Sequence, residues 1–310
     1  MLNELQLIQW LKLGRVAGLG PIKLQRLVEC FGSIENAYNA LPQELLDTRI
    51  VKADMLPKLK KLKDEPETNY LASIRECKAQ NIQIITLTDS EYPLKLKRMP
   101  YPPLTLFLWG DISLLESRKI AIVGTRHPSE EATKLAYEFS KFFADMGLNI
   151  ISGGAEGIDT TAHEGALDSK CGKTICVYGT GFFHPFPKQN ELLFNEIRKA
   201  NGLLMSEHLP KFTGSRISFI QRNRITSGLS DALLVCASGE RGGSMVQTRT
   251  AKEQCIPIFC PALGMNIQPN EGIATAIEKL GAQEIHTPQE LLCKLRDRAK
   301  SLDVYLEQIA

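Results

Sequence analysis

The sequence has little net charge, because 37 Lys and Arg residues offset 35 Asp and Glu residues and leave a formal charge of +2 over 310 residues. A face that binds nucleic acid must therefore come from local clustering of cations and not from the overall balance. No apolar stretch reaches the length of a transmembrane helix. The start of the chain also lacks the basic and apolar regions of a signal peptide. We therefore expect a cytoplasmic protein with no membrane contact.

The sequence also lacks the common metal and cofactor motifs. Its eight cysteines form no C-x-x-C pair, and the C-x4-C spacings at 171/176 and 255/260 have no histidine partner nearby. We therefore expect reduced, partly buried thiols and no zinc site. P-loop, zincin and G-x-G-x-x-G patterns are missing too. The sequence predicts no bound metal and no cofactor, and it argues against a dinucleotide-dependent oxidoreductase.

Residues 1–64 are predicted to form a small all-helical domain, and residues 65–310 a second domain. The turn Gly18-Leu19-Gly20-Pro21 joins two short helical patterns. Such a turn resembles a helix-hairpin-helix, whose backbone amides can hold a DNA phosphate. A plain connector inside a helical bundle explains the same spacing, and we favour it because one turn of this kind is common.

In the second domain, four prolines between residues 93 and 103 predict an irregular crossing segment without helix or ladder. From Lys119 onward, short apolar runs alternate with helical patterns, which is typical of a doubly wound α/β fold around a mostly parallel sheet. The predicted strands of this part lie at 120–123, 149–151, 174–178, 202–206, 232–236 and 257–260.

Glycine-rich turns follow several of these strands, including Gly124-Thr125-Arg126, Gly153–Asp159 and Gly242-Gly243-Ser244. In open α/β sheets, ligands bind outside the carboxyl ends of the strands, so these turns should line one rim. The helix N-termini at such turns favour anions, and Arg126 adds a fixed cation suited to phosphate. The sequence therefore predicts an anion-binding rim.

Two features near this rim have alternative interpretations. Asp159 and His163 lie one helical turn apart, and they could pair to shape the loop. Alternatively, Asp159 caps the helix and His163 packs against a neighbour, which we favour because no nucleophile accompanies them. An aromatic cluster at 182–186 could stack bases or pack as a lid over the rim.

A cluster of arginines at 216, 222 and 224, free of acidic residues, surrounds the amide of Asn223. These side chains suit phosphate or base-edge contacts. Alternatively, one of these arginines has a structural role and pairs with Asp231, or the cluster only keeps the surface soluble.

Several motifs together resemble the DNA-processing protein A family, also called Smf. They are Ile122–Arg126, Ser152–His163, Gly172-Lys173-Thr174, Gln221–Ile225, Gly228–Asp231 and Arg241–Ser244, preceded by Asp89–Pro93 and Gly110-Asp111. The resemblance implies an extended Rossmann-like domain, often preceded by a small helical domain. It also implies single-stranded DNA binding, a homodimer, and loading of the RecA recombinase onto incoming DNA in natural transformation and recombination.

By this resemblance, Gly124, Thr125 and Arg126 grip a backbone phosphate, and the 153–159 turn lines the same groove with Arg222 and Arg224. Glu156 departs from the family, which usually carries Lys or Arg there, and its carboxylate should weaken phosphate binding. The chain also reaches Ala310 without the C-terminal winged helix of many relatives. The predicted nucleic-acid contacts are Gly124, Thr125, Arg126, Gly153, Gly154, Ala155, Glu156, Gly157, Asp159, Arg222, Asn223, Arg224, Gly242, Gly243 and Ser244.

The alternative function is a nucleotide-binding sensor or a phosphoribohydrolase-like enzyme on a related fold. Such hydrolases resemble this chain but place a catalytic Glu a few residues after a Gly-Gly turn. Here Gly242-Gly243 is followed by no carboxylate until Glu253. We therefore expect no catalytic residue and no enzymatic activity.

Overall fold

The computed structural model describes residues 2–262 and 267–309, with side chains described as far as residue 299. The chain divides into two compact units, Met1–Leu108 with Glu207–Lys211, and Trp109–Ser206 with Phe212–Ala310. The domain boundary predicted near residue 64 falls within the first unit and stays a prediction.

The first unit joins a helical bundle to a pair of antiparallel strands, β1 (Gln83–Thr86) and β2 (Thr105–Gly110), in which Thr86 lies opposite Thr105. Trp10 ties the bundle to this pair, because its Nε1 donates to Leu104 O at 3.1 Å and to Thr105 Oγ1 at 3.2 Å. The elements are α1 (Glu4–Gly14), α2 (Pro21–Phe31), α3 (Ile34–Asn39), α4 (Pro42–Asp47), α5 (Leu56–Asp64), α6 (Thr68–Ala79), β1 (Gln83–Thr86), α7 (Leu94–Lys97) and β2 (Thr105–Gly110).

Lys12 is buried in this bundle, with its Nζ donating to Lys63 O at 3.0 Å and to Glu65 O at 2.6 Å. A buried ammonium is tolerated where carbonyl groups satisfy it.

Helix α7 corrects the prediction that residues 93–103 contain no helix. Pro93 is its N-cap, a position that needs no backbone N–H, so the proline does not prevent the turn that follows.

The second unit contains a parallel sheet in the order β6-β5-β4-β3-β7-β8-β9. The chain runs outward from β3 through β6 on one side, and then continues at β7 on the other side of β3. The strands are β3 (Lys119–Gly124), β4 (Asn149–Ser152), β5 (Thr174–Tyr178), β6 (Leu203–Ser206), β7 (Ala232–Ala237), β8 (Ile258–Pro261) and β9 (Gln283–Ile285). The predicted doubly wound, mostly parallel fold is confirmed, and its switch point lies between β3 and β7.

The helices of this unit are α8 (Glu130–Asp145), α9 (Ile158–Leu167), α10 (Glu191–Lys199), α11 (Arg216–Leu229), α12 (Gly243–Glu253), α13 (Glu271–Leu280) and α14 (Pro288–Ile309). Helices α8 and α9 contribute Phe139, Phe143 and Ala162 to a core shared with Ile122 of β3 and Leu234 of β7. Full burial of strands on both faces explains their continuous apolar sequence.

The eight cysteines are free thiols, four buried and four exposed. In the described ranges, no group of three or more His, Cys, Asp or Glu side chains is placed to hold a metal ion. No helix of residues 2–262 or 267–309 is long and apolar enough to span a membrane.

Candidate nucleic-acid interface

The turns that follow β3 and β4 lie side by side at the switch point. The backbone N–H of Thr125 donates to Ala237 O at 2.8 Å, and that of Ile158 donates to Thr125 O at 3.2 Å. Gly157 has a positive φ of 78°, and a Cβ there would meet Thr125 O at 2.5 Å. Glycine is required at this close approach. The Thr125 amide is used by the protein itself, so Arg126 carries the anion-binding potential of this turn.

The buried side chain of Asp159 stabilises the loop between β4 and α9. Its Oδ2 accepts from the backbone N–H of Gly153 at 3.2 Å and of Ala155 at 3.4 Å. Burial raises the pKa of Asp159, while the positive charge of Arg222 and these hydrogen bonds act in the opposite direction. The two loop amides therefore point toward Asp159, and this residue positions the loop.

Asn190 braces the same loop from the segment before α10. Its Nδ2 donates to Gly154 O at 3.0 Å and to Thr160 Oγ1 at 2.7 Å. Asn190 is buried, so the amide holds the loop in a single arrangement without competition from water. The sequence offered no signal for this role, because Asn190 lies outside every motif.

His163 is fully buried and pairs with Thr174, whose Oγ1 lies 2.7 Å from Nδ1. Burial lowers the pKa of His163 to about 3, and the charge of Arg222 acts in the same direction. The ring is therefore neutral near pH 7. His163 packs against a neighbouring strand, as the favoured interpretation predicted. The other half of that interpretation is wrong, because the N-cap of α9 is Gly157 and Asp159 instead binds amides of the preceding loop.

Arg222 projects inward from α11, a helix that Ser215 caps by accepting from Ser218 N. The Arg222 side chain is buried, and its Nη1 donates to Val177 O at 3.0 Å. Burial lowers the pKa of Arg222, and the nearby charge of Arg126 lowers it further, whereas Asp159 raises it. Its Nε makes no hydrogen bond within the described residues.

Arg126 and Arg222 line one small open pocket with an internal volume of about 40 Å³. Arg126 is exposed, at the carboxyl end of β3. The aromatic wall consists of Phe186 and Phe219, with ring centroids 5.2 Å apart and planes tilted by 51°. The complete lining is Arg126, Gly153, Ala155, Glu156, Phe186, Pro187, Phe219 and Arg222.

The aromatic wall was incompletely predicted. The cluster at 182–186 supplies only Phe186 to the pocket lining, whereas Phe219 comes from α11, outside that cluster. Phe219 reaches the pocket because its ring packs over Gly179, where a Cβ would meet Phe219 Cδ1 at 2.5 Å. The glycine after β5 was the available signal, since it marks a close approach at the strand end.

Other predicted contacts lie outside the pocket lining, around the turn between β7 and α12. Asn223 is buried, and its Nδ2 donates to Gly243 O at 3.3 Å. The carbonyl of Arg224 accepts from Gln254 Nε2 at 2.9 Å. Ser244 Oγ lies 2.8 Å from Ser238 Oγ. Gly242 and Gly243 are exposed at the N-terminus of α12, and their role in DNA binding stays a prediction.

Comparison with known proteins assigns this fold to a single family. The model described as DNA recombination-mediator protein A matches residues 83–296. The chain belongs to the DNA recombination-mediator protein A family. A second model, the DprA-like N-terminal HHH domain, matches residues 4–65. The matched residues include the turn at Gly18–Pro21, for which both interpretations stay predictions.

Curated relatives in the DNA recombination-mediator protein A family extend over most of the chain. Protein Smf of Synechocystis sp. is 33% identical over 290 residues, which cover 92% of this chain and 72% of the relative. DNA processing protein DprA of Bacillus subtilis is 35% identical over 244 residues, covering 76% of this chain and 80% of the relative. The family resemblance drawn from the motifs is confirmed.

Two solved structures of DNA processing protein A share this fold. That from Streptococcus pneumoniae has a TM-score of 0.77 at 25% identity and covers 94% of this chain and 98% of its own. That from Helicobacter pylori, described for its unique single-stranded DNA binding mode, has a TM-score of 0.62 at 31% identity. It covers 71% of this chain and 98% of its own.

Proposed function

We propose that this protein binds single-stranded DNA at the rim of its parallel sheet. One base enters the pocket against Phe186 and Phe219, and an adjacent phosphate lies on Arg126. The pairing of two guanidinium groups with two aromatic rings, of which Phe186 is exposed and Phe219 half-buried, carries this proposal. Single-strand binders combine cationic grooves with aromatic stacking, because unpaired bases expose their faces and duplex bases do not.

The two arginines have different tasks in this arrangement. Arg126 is exposed and can form charge-assisted hydrogen bonds with a phosphate. Arg222 is held by Val177 O beneath the loop, and supplies a fixed positive charge at the pocket floor. A buried charge acts more strongly on an anion than an exposed one, because less water screens it.

The proposed biological role is to load the RecA recombinase onto single-stranded DNA during natural transformation and recombination, as a cytoplasmic homodimer. The family's description as a recombination mediator supports this role. The described DNA-binding mode of the Helicobacter pylori relative supports the choice of single-stranded DNA. We propose a non-enzymatic role, because Asp159 and His163 are occupied in bracing the fold.

The test measures fluorescence anisotropy with a labelled oligo-dT strand and the matching duplex. Arg126→Ala should weaken single-strand binding about tenfold, and the salt dependence of log K should become shallower by about one unit. Arg118→Ala is the matched control, since Arg118 is also exposed and precedes β3 at the opposite end of the strand. Equal affinities for Arg126→Ala and the parent protein would contradict the proposed site.

A further inference from the structure

A carboxylate shares the pocket with the two arginines and is not neutralised by them. Glu156 Oε1 accepts from Gln189 Nε2 at 2.8 Å. Within the described residues, no ion pair joins that carboxylate to Arg126 or Arg222. The pocket therefore presents hydrogen-bond donors at the arginines and a separate hydrogen-bond acceptor at Glu156.

The charge of Glu156 determines which part of a nucleotide can lie beside it. A phosphate next to a carboxylate is repelled, and the repulsion is strong where protein excludes water. A base is uncharged, and its amino groups donate hydrogen bonds. In a bound strand, the base edge is therefore the part that suits Glu156, while the phosphates suit Arg126.

The bases differ in what they offer to a carboxylate. Cytosine carries the N4 amino donor, and Glu or Asp accepting from that group is a recognised base contact. Uracil and thymine carry the O4 acceptor at the same position. A carboxylate aligned with the 4-position meets this oxygen with two acceptors facing each other, and it reaches a donor only by shifting to N3–H.

We propose that Glu156 selects the base in this pocket, by accepting a hydrogen bond from an exocyclic amino group such as N4 of cytosine. The protein then binds cytosine-containing single strands more tightly than strands with uracil or thymine. This inference rests on the proposed function, since it takes the pocket to hold a base of single-stranded DNA.

A hydrogen bond from Gln189 orients the Glu156 carboxylate for such selection. The Gln189 amide holds Oε1, while Oε2 makes no hydrogen bond within the described residues. A side chain that is already oriented loses less conformational freedom on binding than a mobile one. Gln189→Ala should therefore reduce base selection partially, whereas removal of the Glu156 carboxylate should abolish it.

The experiment compares oligo-dC with oligo-dU strands of about twelve nucleotides, within the site sizes of single-strand binders. These bases differ at the 4-position and in the N3 proton, and dU avoids the extra methyl group of thymine. Anisotropy titrations at about pH 8 measure both affinities for the parent protein and for Glu156→Gln. Glu138→Gln, an exposed residue of α8, removes the same charge away from the pocket.

The parent protein should bind oligo-dC at least about fivefold more tightly than oligo-dU. Glu156→Gln should bring the two affinities within about twofold and strengthen binding to both strands, because a repulsive charge is gone. Glu156→Ala repeats the comparison with no acceptor at all, and circular dichroism checks that each variant is folded. Glu138→Gln should keep the ratio of the parent.

The outcomes separate this inference from the proposed function. If the parent protein binds both strands equally, or if Glu156→Gln leaves the preference for oligo-dC intact, base selection by Glu156 is wrong and single-strand binding still stands. If the parent protein binds neither strand, both proposals are wrong.

Discussion

The guanidinium of Arg222 lies directly over Gly153, so closely that a Cβ on that glycine would overlap Nη1. This contact joins α11 to the loop after β4 and places a buried cation under the candidate DNA pocket. Glycine is therefore required at position 153 for a reason other than its backbone conformation. It leaves the space that the arginine occupies.

The first prediction concerns the space that Gly153 leaves for the side chain of Arg222. Gly153→Ala should displace Arg222 and break its hydrogen bond to Val177 O, at a cost of about 2 kcal/mol in the free energy of unfolding. Single-strand affinity should fall with it, because the positive charge moves away from the pocket. Urea denaturation and anisotropy measure the two effects.

Gly239→Ala is the matched control for Gly153→Ala, because the nearest atom to a Cβ at 239 is 4.0 Å away. Its stability should stay within about 0.5 kcal/mol of the parent. If Gly153→Ala behaves like this control, the packing of Arg222 against Gly153 does not hold the pocket.

A second prediction concerns the aromatic wall. Phe219→Leu keeps an apolar side chain over Gly179 but removes the ring, and single-strand affinity should fall about tenfold, since stacking one base contributes about 1–3 kcal/mol. Phe142→Leu removes a ring from another aromatic pair, on α8, and should leave binding unchanged. Equal single-strand affinity for both variants would exclude Phe219 as a stacking surface.

A third prediction follows from the buried histidine. Its folded pKa is about 3 and its ordinary pKa is 6.5, so the unfolded state binds more protons between these values. The free energy of unfolding is therefore unaffected by this histidine above pH 6.5. It decreases as the pH falls below 6.5, by about 2 kcal/mol at about pH 5. Urea denaturation at about pH 7.5 and about pH 5 measures this loss.

His163→Gln should not show this loss of stability between neutral and acidic pH. The expectation holds even if the variant is less stable than the parent protein at neutral pH. His286→Gln, at an exposed position, should keep the full acid sensitivity of the parent. An identical loss of stability in His163→Gln and the parent would mean that this ring does not resist protonation in the folded protein.

A fourth prediction concerns the helical unit. Lys12→Met should leave Lys63 O and Glu65 O without their donor, and should lower the free energy of unfolding by about 2 kcal/mol. Lys52→Met, at an exposed position, should change stability by less than about 0.5 kcal/mol. Chemical denaturation followed by tryptophan fluorescence, to which Trp10 of the same unit and Trp109 both contribute, measures the difference.

Much of the fold was predictable because its signals are local. The runs at 120–123 and 174–178 are apolar on both faces, which is what a strand between two helical layers requires. Strand β9 was missed, because Gln283-Glu284-Ile285 is short and mostly polar. It forms at the sheet edge by pairing with β8, an interaction that lies outside its own sequence.

The location of the candidate site was predictable from the sequence, but the side chains that line it were not. Parallel strands bring their carboxyl ends to one edge, so the turns at Arg126 and Gly153 were expected together. Arg222 and Arg224 look equivalent in the sequence, but residues two apart on a helix face different sides. Packing against Gly153 made Arg222 the pocket residue.

The sequence by itself determined the alternation of strands and helices, the glycine turns and the cation at Arg126, since each depends on neighbouring residues and on backbone chemistry. The tertiary structure alone decided that Phe186 and Phe219 form one wall and that Glu156 faces the same pocket as Arg126 and Arg222. These side chains are distant in the chain. Their meeting depends on strand order and helix rotation, which are determined by how the whole core packs.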